Sequence, residues 1–216
     1  MEVVRLMNLS QPLATVSPGL HGRVLAVLAG TDKPLTGRTV ASLVQPHTSL
    51  RGVQVTLDDL LANGVVTREK AGRAYLYLLN HDHLAAAPIL ALANMRTELQ
   101  DRISAEIIDW DPAPAAVWLF GSVARGEAGT DSDVDLLVAR PDTVDADLPV
   151  WLEQVDTLSS HITRWAGNGC EVLELSSGEL AAAVARDERL AVDLRRDAVP
   201  LAGAQPRALL RKRTIR

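Results

Sequence analysis

Apolar residues follow helical spacing in the first third of the chain. Pro18 to Ala29 is apolar-periodic, Thr36 is placed to cap a second short helix through Val44, and a third runs from Thr48 or Ser49 to Asn63. That third helix puts Val53, Leu57, Leu60 and Leu61 on one side and meets its stop at Gly64. The period then changes to two. Val65 to Arg68 and Ala74 to Leu79 read as strands joined through Lys70-Ala71-Gly72-Arg73, a β-hairpin with a basic tip. Helical spacing returns at Ile89, Leu92, Met95, Leu99, Ile103 and Ile107, which predicts one long helix from Leu84 to Trp110, ended by Asp111-Pro112-Ala113-Pro114. A stripe of this kind serves as an interdomain seam or as a homodimer seam.

The second half mixes the two periods. Ala116 to Phe120, Val134 to Ala139 and Cys170 to Leu175 are short and strand-like. Pro141 to Asp147 is a polar loop, Leu148 to Trp165 a helix with Trp151, Leu152, Val155, Leu158 and Ile162 inward, and Ala166 to Gly169 a turn. Ser177 is placed to cap a helix through Ala185, Arg189 to Arg195 adds a helical turn or two, and Val199-Pro200-Leu201 reads as an edge strand. The fold class is therefore α+β in two domains: residues 1–83, a connecting helix over 84–111, a second domain over 112–202 and a basic tail over 203–216.

Composition narrows the field. The chain of 216 residues is 47% hydrophobic and 23% charged, as expected of a water-soluble globular protein. No segment reaches membrane-spanning length and no leader is recognisable, so a cytoplasmic location without membrane contact is expected. The single cysteine, Cys170, excludes an intramolecular disulfide framework. Aromatic residues at 3% are too few for a stacking platform on single strands. The net charge of -5 is unevenly spread. Residues 1–90 carry 8 Lys/Arg against 6 Asp/Glu, residues 91–204 carry 9 against 21, and the last twelve add five basic residues, Arg207, Arg211, Lys212, Arg213 and Arg216. The acidic middle does not suit nucleic acid, whereas the first segment and the tail can meet phosphate.

Chemistry concentrates in Gly121-Ser122-Val123-Ala124-Arg125-Gly126 and Asp131-Ser132-Asp133-Val134-Asp135. Gly-Ser falls where a strand ends and a helix begins, a place where backbone N–H groups suit anions. Alternation puts Asp133 and Asp135 on one strand face, about 7 Å apart along the strand. Carboxylates so close repel and raise each other's pKa, and a divalent cation turns that repulsion into binding. Magnesium, or manganese, fits, since such ions take oxygen ligands from one or two carboxylates and from nucleotide phosphates. His81, His83 and His161 lack partners for a metal site and receive no role.

With Gly-Ser, a spacer and Asp-x-Asp, the segment from about 110 to 202 resembles the DNA polymerase beta-like nucleotidyltransferases, in particular their minimal prokaryotic members. The resemblance implies a mixed sheet flanked by helices, Gly121, Ser122 and Arg125 at the nucleotide, and Asp133 and Asp135 on magnesium. It also implies a third carboxylate on a neighbouring strand, which helps hold the metal and accepts the proton of the attacking hydroxyl. Glu171 corresponds best. It is a Glu where active members carry Asp, one methylene longer. Glu174 lies on the opposite strand face. Helix, helix, helix, hairpin over 1–83 is similar to the winged helix-turn-helix of MarR and ArsR-like regulators. That likeness implies a third helix in the DNA major groove, with Ser49, Arg51 and Gln54 at bases or phosphates and Lys70 and Arg73 on the wing.

The activity expected is magnesium-dependent transfer of a nucleoside monophosphate from ATP or another NTP to an acceptor hydroxyl, catalysed by Asp133, Asp135 and Glu171 and coupled to a module for double-stranded DNA. The acceptor is a protein side chain, a small molecule or an RNA end. The rival reading is a DNA-binding transcription regulator whose nucleotidyltransferase-like domain senses a nucleotide without turning it over.

Overall fold

The computed structural model describes residues 7–210. Within them Gln11–Arg96 forms one compact unit, and residues 97–210 with 7–10 form another.

The first unit runs α1 (Leu13–Val16), α2 (Leu20–Ala29), β1 (Leu35–Thr36), α3 (Gly37–Leu43), α4 (Leu50–Ala62), β2 (Val66–Ala71), β3 (Ala74–Leu79) and α5 (Ala86–Ala93). Side-chain caps set two helix starts. The Thr36 hydroxyl accepts from the Thr39 N–H and that of Ser49 from the Gly52 N–H. The apolar stripe of α4, Val53, Leu57 and Leu60, packs with Val24, Leu28, Val40 and Leu79 into one core, while Leu61 stays half-buried. The sheet is antiparallel in the order β1-β3-β2. Pairing continues through Lys70–Tyr75 and Ala71–Ala74, so the hairpin turn is narrower than the pattern predicts and consists of Gly72 and Arg73. Gly72 takes φ +61°, which a two-residue hairpin with glycine first requires.

The second unit contains α6 (Met95–Ile107) from Thr97 onward, β4 (Ala116–Phe120), α7 (Gly121–Arg125), β5 (Val134–Arg140), α8 (Pro149–Ala166), β6 (Cys170–Ser176), α9 (Ser177–Ala185), α10 (Arg189–Asp197), β7 (Val199–Gly203) and α11 (Pro206–Leu209). Its sheet is mixed, in the order β6-β5-β4-β7, with β5 and β6 parallel and the other pairs antiparallel. Helices flank it. On one face Trp118, Leu137 and Ala139 pack with Leu180 and Val184 of α9 and Ala191 and Leu194 of α10. The opposite face receives α8, whose Trp151, Leu158 and Ile162 are fully buried. Trp110 meets Trp151 edge to face at 5.7 Å, and His161 binds Glu106 at 2.9 Å, which ties α6 to α8.

Predictions for the helices differ from the structure in three places. The helix predicted over Leu84–Trp110 is two, α5 and α6, divided at Asn94, whose N–H closes on Leu90 and Ala91. The cap of α9 is Ser176, because only Ser176 stands three residues before Glu179 and so can complete a capping box. On α8, Leu152 is 47% exposed, since Trp151 takes the inward position beside it. The basic tail predicted from 203 includes β7's end and α11, and its residues 211–216 lie outside the described residues. No helix among the described residues is long and apolar enough to cross a membrane.

Candidate functional site

β4 ends at Phe120, and the chain turns at Gly121 with φ +73°. A Cβ added at Gly121 would stand 2.1 Å from Asp135 Oδ2, so only glycine lets this turn close over that carboxylate. The antiparallel register sets Phe120 opposite Asp135. Asp135 therefore shares the sheet face of Trp118 and Leu137, at the end where α7 and α10 approach, among otherwise buried strand residues. Asp133 lies just before β5 and is exposed; a Cβ on Gly169 would stand 2.5 Å from its Oδ1.

The parallel register sets Asp135 beside Glu171, on the same face of the sheet. Glu174 is on the other face, where it accepts from Arg140 Nε at 2.6 Å and from Trp151 Nε1 at 3.3 Å. Asp133, Asp135 and Glu171 are thus gathered at one end of the sheet, and the half-buried Glu174 has a separate partnership. The Asp135 carboxyl is pushed above the ordinary aspartate value, first by burial, then by Glu171 and Asp133; Arg125 opposes the shift. Cys170, beside Glu171, has its thiol pushed up to about 11, chiefly by burial, with the same acidic groups adding to it.

This oxygen-only, negatively charged set fits a hard divalent cation that takes one or two carboxylates and draws its other ligands from water and phosphate. Among the described residues no three Asp, Glu, His or Cys side chains close into a ready-made metal cluster, so the fit is to a shared site. Gly121 and Ser122 occupy the turn that faces Asp135. Arg125 is held by Glu127 (Nε, 2.7 Å) and by Asp197 (Nη1, 2.5 Å). Ser49, Arg51, Gln54, Lys70 and Arg73 lie in the first unit, all exposed, with the Ser49 hydroxyl engaged as the α4 cap.

Residues 101–193 match the nucleotidyltransferase domain family. The match takes in the turn, both aspartates, Glu171 and most of α10, within the sheet of the second unit. Among solved structures, the chain is similar to a toxin-antitoxin with AMP-PNP, at 19% identity over 51% of this chain and 80% of that one, with a TM-score of 0.37. A mutant form of the toxin-antitoxin MntA-HpeT gives 17% identity, the same two coverages and a TM-score of 0.35. Both likenesses are weak. No curated protein matches the chain.

Two residues around the site are silent in the sequence. Asn168, 1% exposed, donates from Nδ2 to the carbonyls of Ser132 (3.0 Å) and Thr130 (3.4 Å), holding the loop that presents Asp133. Its only outward sign is the glycine on either side. Asp197 closes α10 in the run Arg195-Arg196-Asp197, which reads as a solvated helix end, yet its side chain is 2% exposed.

Proposed function

We propose that the second unit is a magnesium-dependent nucleotidyltransferase that moves a nucleoside monophosphate from ATP or another NTP to an acceptor hydroxyl. The observation that carries this is the juxtaposition of the Gly121 turn with Asp135, Asp133 and Glu171 at one sheet end. Asp133 and Asp135, with Glu171 completing the set, would hold the magnesium, whose positive charge would stabilise the oxygens that gain charge in the reaction. Backbone N–H groups of Gly121 and Ser122 cradle the phosphates, and Arg125 adds positive charge. The acceptor oxygen bonds to the α-phosphorus, the bond to the β-phosphate oxygen breaks, pyrophosphate leaves, and the Glu171 carboxylate takes the hydroxyl proton.

Pyrophosphate release tests it. Wild type is expected to release pyrophosphate with ATP, magnesium and acceptor, and the Asp133→Ala, Asp135→Ala double variant to lose about 100-fold or more. A wild type as silent as the double variant excludes turnover and leaves the nucleotide-sensing regulator, the reading that the longer Glu171 side chain favours.

We further infer that the first unit is a winged helix-turn-helix that binds double-stranded DNA, with Arg51 and Gln54 on α4 and Lys70 and Arg73 on the hairpin reaching the duplex. Support comes from the capped α3 and α4, followed by the hairpin, and from the exposure of these side chains. A gel shift on the upstream region of its own gene is the test. Absence of a salt-sensitive shift counts against it.

A further inference from the structure

A pocket of about 280 Å³ opens beside Gly121. Arg125 lines it from the turn, and Arg189, Asp193, Arg196 and Asp197 line it from α10. Asp197 organises the charges. Its Oδ2 accepts from Arg125 Nη1 at 2.5 Å and from Arg196 Nη2 at 3.2 Å, so one buried carboxylate holds two guanidinium groups side by side. Arg196 Nη2 also reaches Asp193 at 3.1 Å, and Arg189 Nε lies 3.8 Å from the same carboxylate. More than half of the N–H donors on Arg125 and on Arg196 lie outside these pairs.

Fixed, adjacent guanidinium groups with free donors recognise phosphate oxygens, and pre-arrangement lowers the cost of binding. The volume sits at the lower edge of the roughly 300–1,000 Å³ usual for small-molecule sites. Three guanidinium groups face two carboxylates along the wall. The pocket also adjoins the turn that closes over Asp135, where the α-phosphate stands if the site works as proposed above.

We propose that this pocket seats the β- and γ-phosphates of the nucleotide and the pyrophosphate they become, with Arg196 and Arg189 of α10 as phosphate ligands beside Arg125 and Asp197 as the residue that positions them. The proposal rests on the nucleotidyl-transfer reading of the site. It adds α10, whose residues the sequence motif leaves out.

The test is calorimetric titration of the full chain with ATP, AMP and inorganic pyrophosphate in the presence of magnesium. Arg196→Ala is expected to weaken ATP and pyrophosphate about tenfold or more and leave AMP within about twofold, as loss of a charge-assisted contact to the outer phosphates alone requires. Arg189→Ala acts in the same direction, less strongly. Asp197→Asn is expected to lower the ATP-to-AMP preference, and Asp197→Glu to restore part of it. Melting curves report folding of the Asp197 variants, and should Asp197→Asn unfold, the exposed Arg196 decides. An unchanged ATP-to-AMP ratio in both arginine variants overturns the pocket assignment. If wild type still binds ATP and Asp135→Ala weakens it, only the pocket falls. A wild type that binds neither ATP nor pyrophosphate removes the nucleotidyl-transfer reading along with the pocket.

Discussion

At Gly121 two constraints meet in one residue. Its φ of +73° is costly for a residue with a Cβ, and the space that Cβ would take already holds Asp135 Oδ2. Gly121→Ala is therefore expected to destabilise the protein by roughly 1–3 kcal/mol and to abolish ATP binding, read from denaturant unfolding and titration. Asp135 carries a different tension. Its carboxyl pKa is raised in the folded protein, so the protonated form favours folding; the stabilisation is complete below the ordinary aspartate pKa and is lost as pH rises through the raised value. With divalent ions chelated, Asp135→Asn should raise the melting temperature at pH 7, and the difference should shrink as pH falls toward 4. Equal melting temperatures at both pH values would mean that neither burial nor the charges of Glu171 and Asp133 burden the Asp135 carboxylate.

The elements around the site show what a linear pattern can carry. β4, β5 and β6 were legible because short apolar runs between turn residues have few alternatives, and their register then gathers Asp133, Asp135 and Glu171. The break at Asn94 was not legible. No Gly or Pro marks it, and the apolar spacing runs across the gap unchanged. Burial on α8 was half legible, since Trp151 and Leu152 are both apolar and only packing tells which turns inward. Trp151→Ala should accordingly cost about 3–5 kcal/mol, whereas Leu152→Ala should cost less than about 0.5 kcal/mol in the same unfolding series. The pairing of Arg196 with Asp197 was illegible for a further reason: charges at a helix end look solvated until another element, here α7, covers them.

On the scale of the whole molecule, charge separates the two proposed roles. Residues 1–90 are slightly basic and residues 91–204 strongly acidic. Any grip on a duplex then depends on few cations, and Arg51→Ala and Arg73→Ala are each expected to lower the slope of log affinity against log salt by about 1, measured by fluorescence anisotropy. A slope unchanged by both places the contact elsewhere. The parallel pairing of β5 with β6 reaches further. A parallel neighbour needs a crossover, and β6 arrives beside β5 only after the loop and α8 have been laid down between them. During synthesis, the turn and both aspartates are therefore made before Glu171, and a chain ending ahead of Cys170 holds only the two aspartates of the set. The crossover makes the meeting of Glu171 with Asp135 conditional on the whole span between β5 and β6 having folded back on itself.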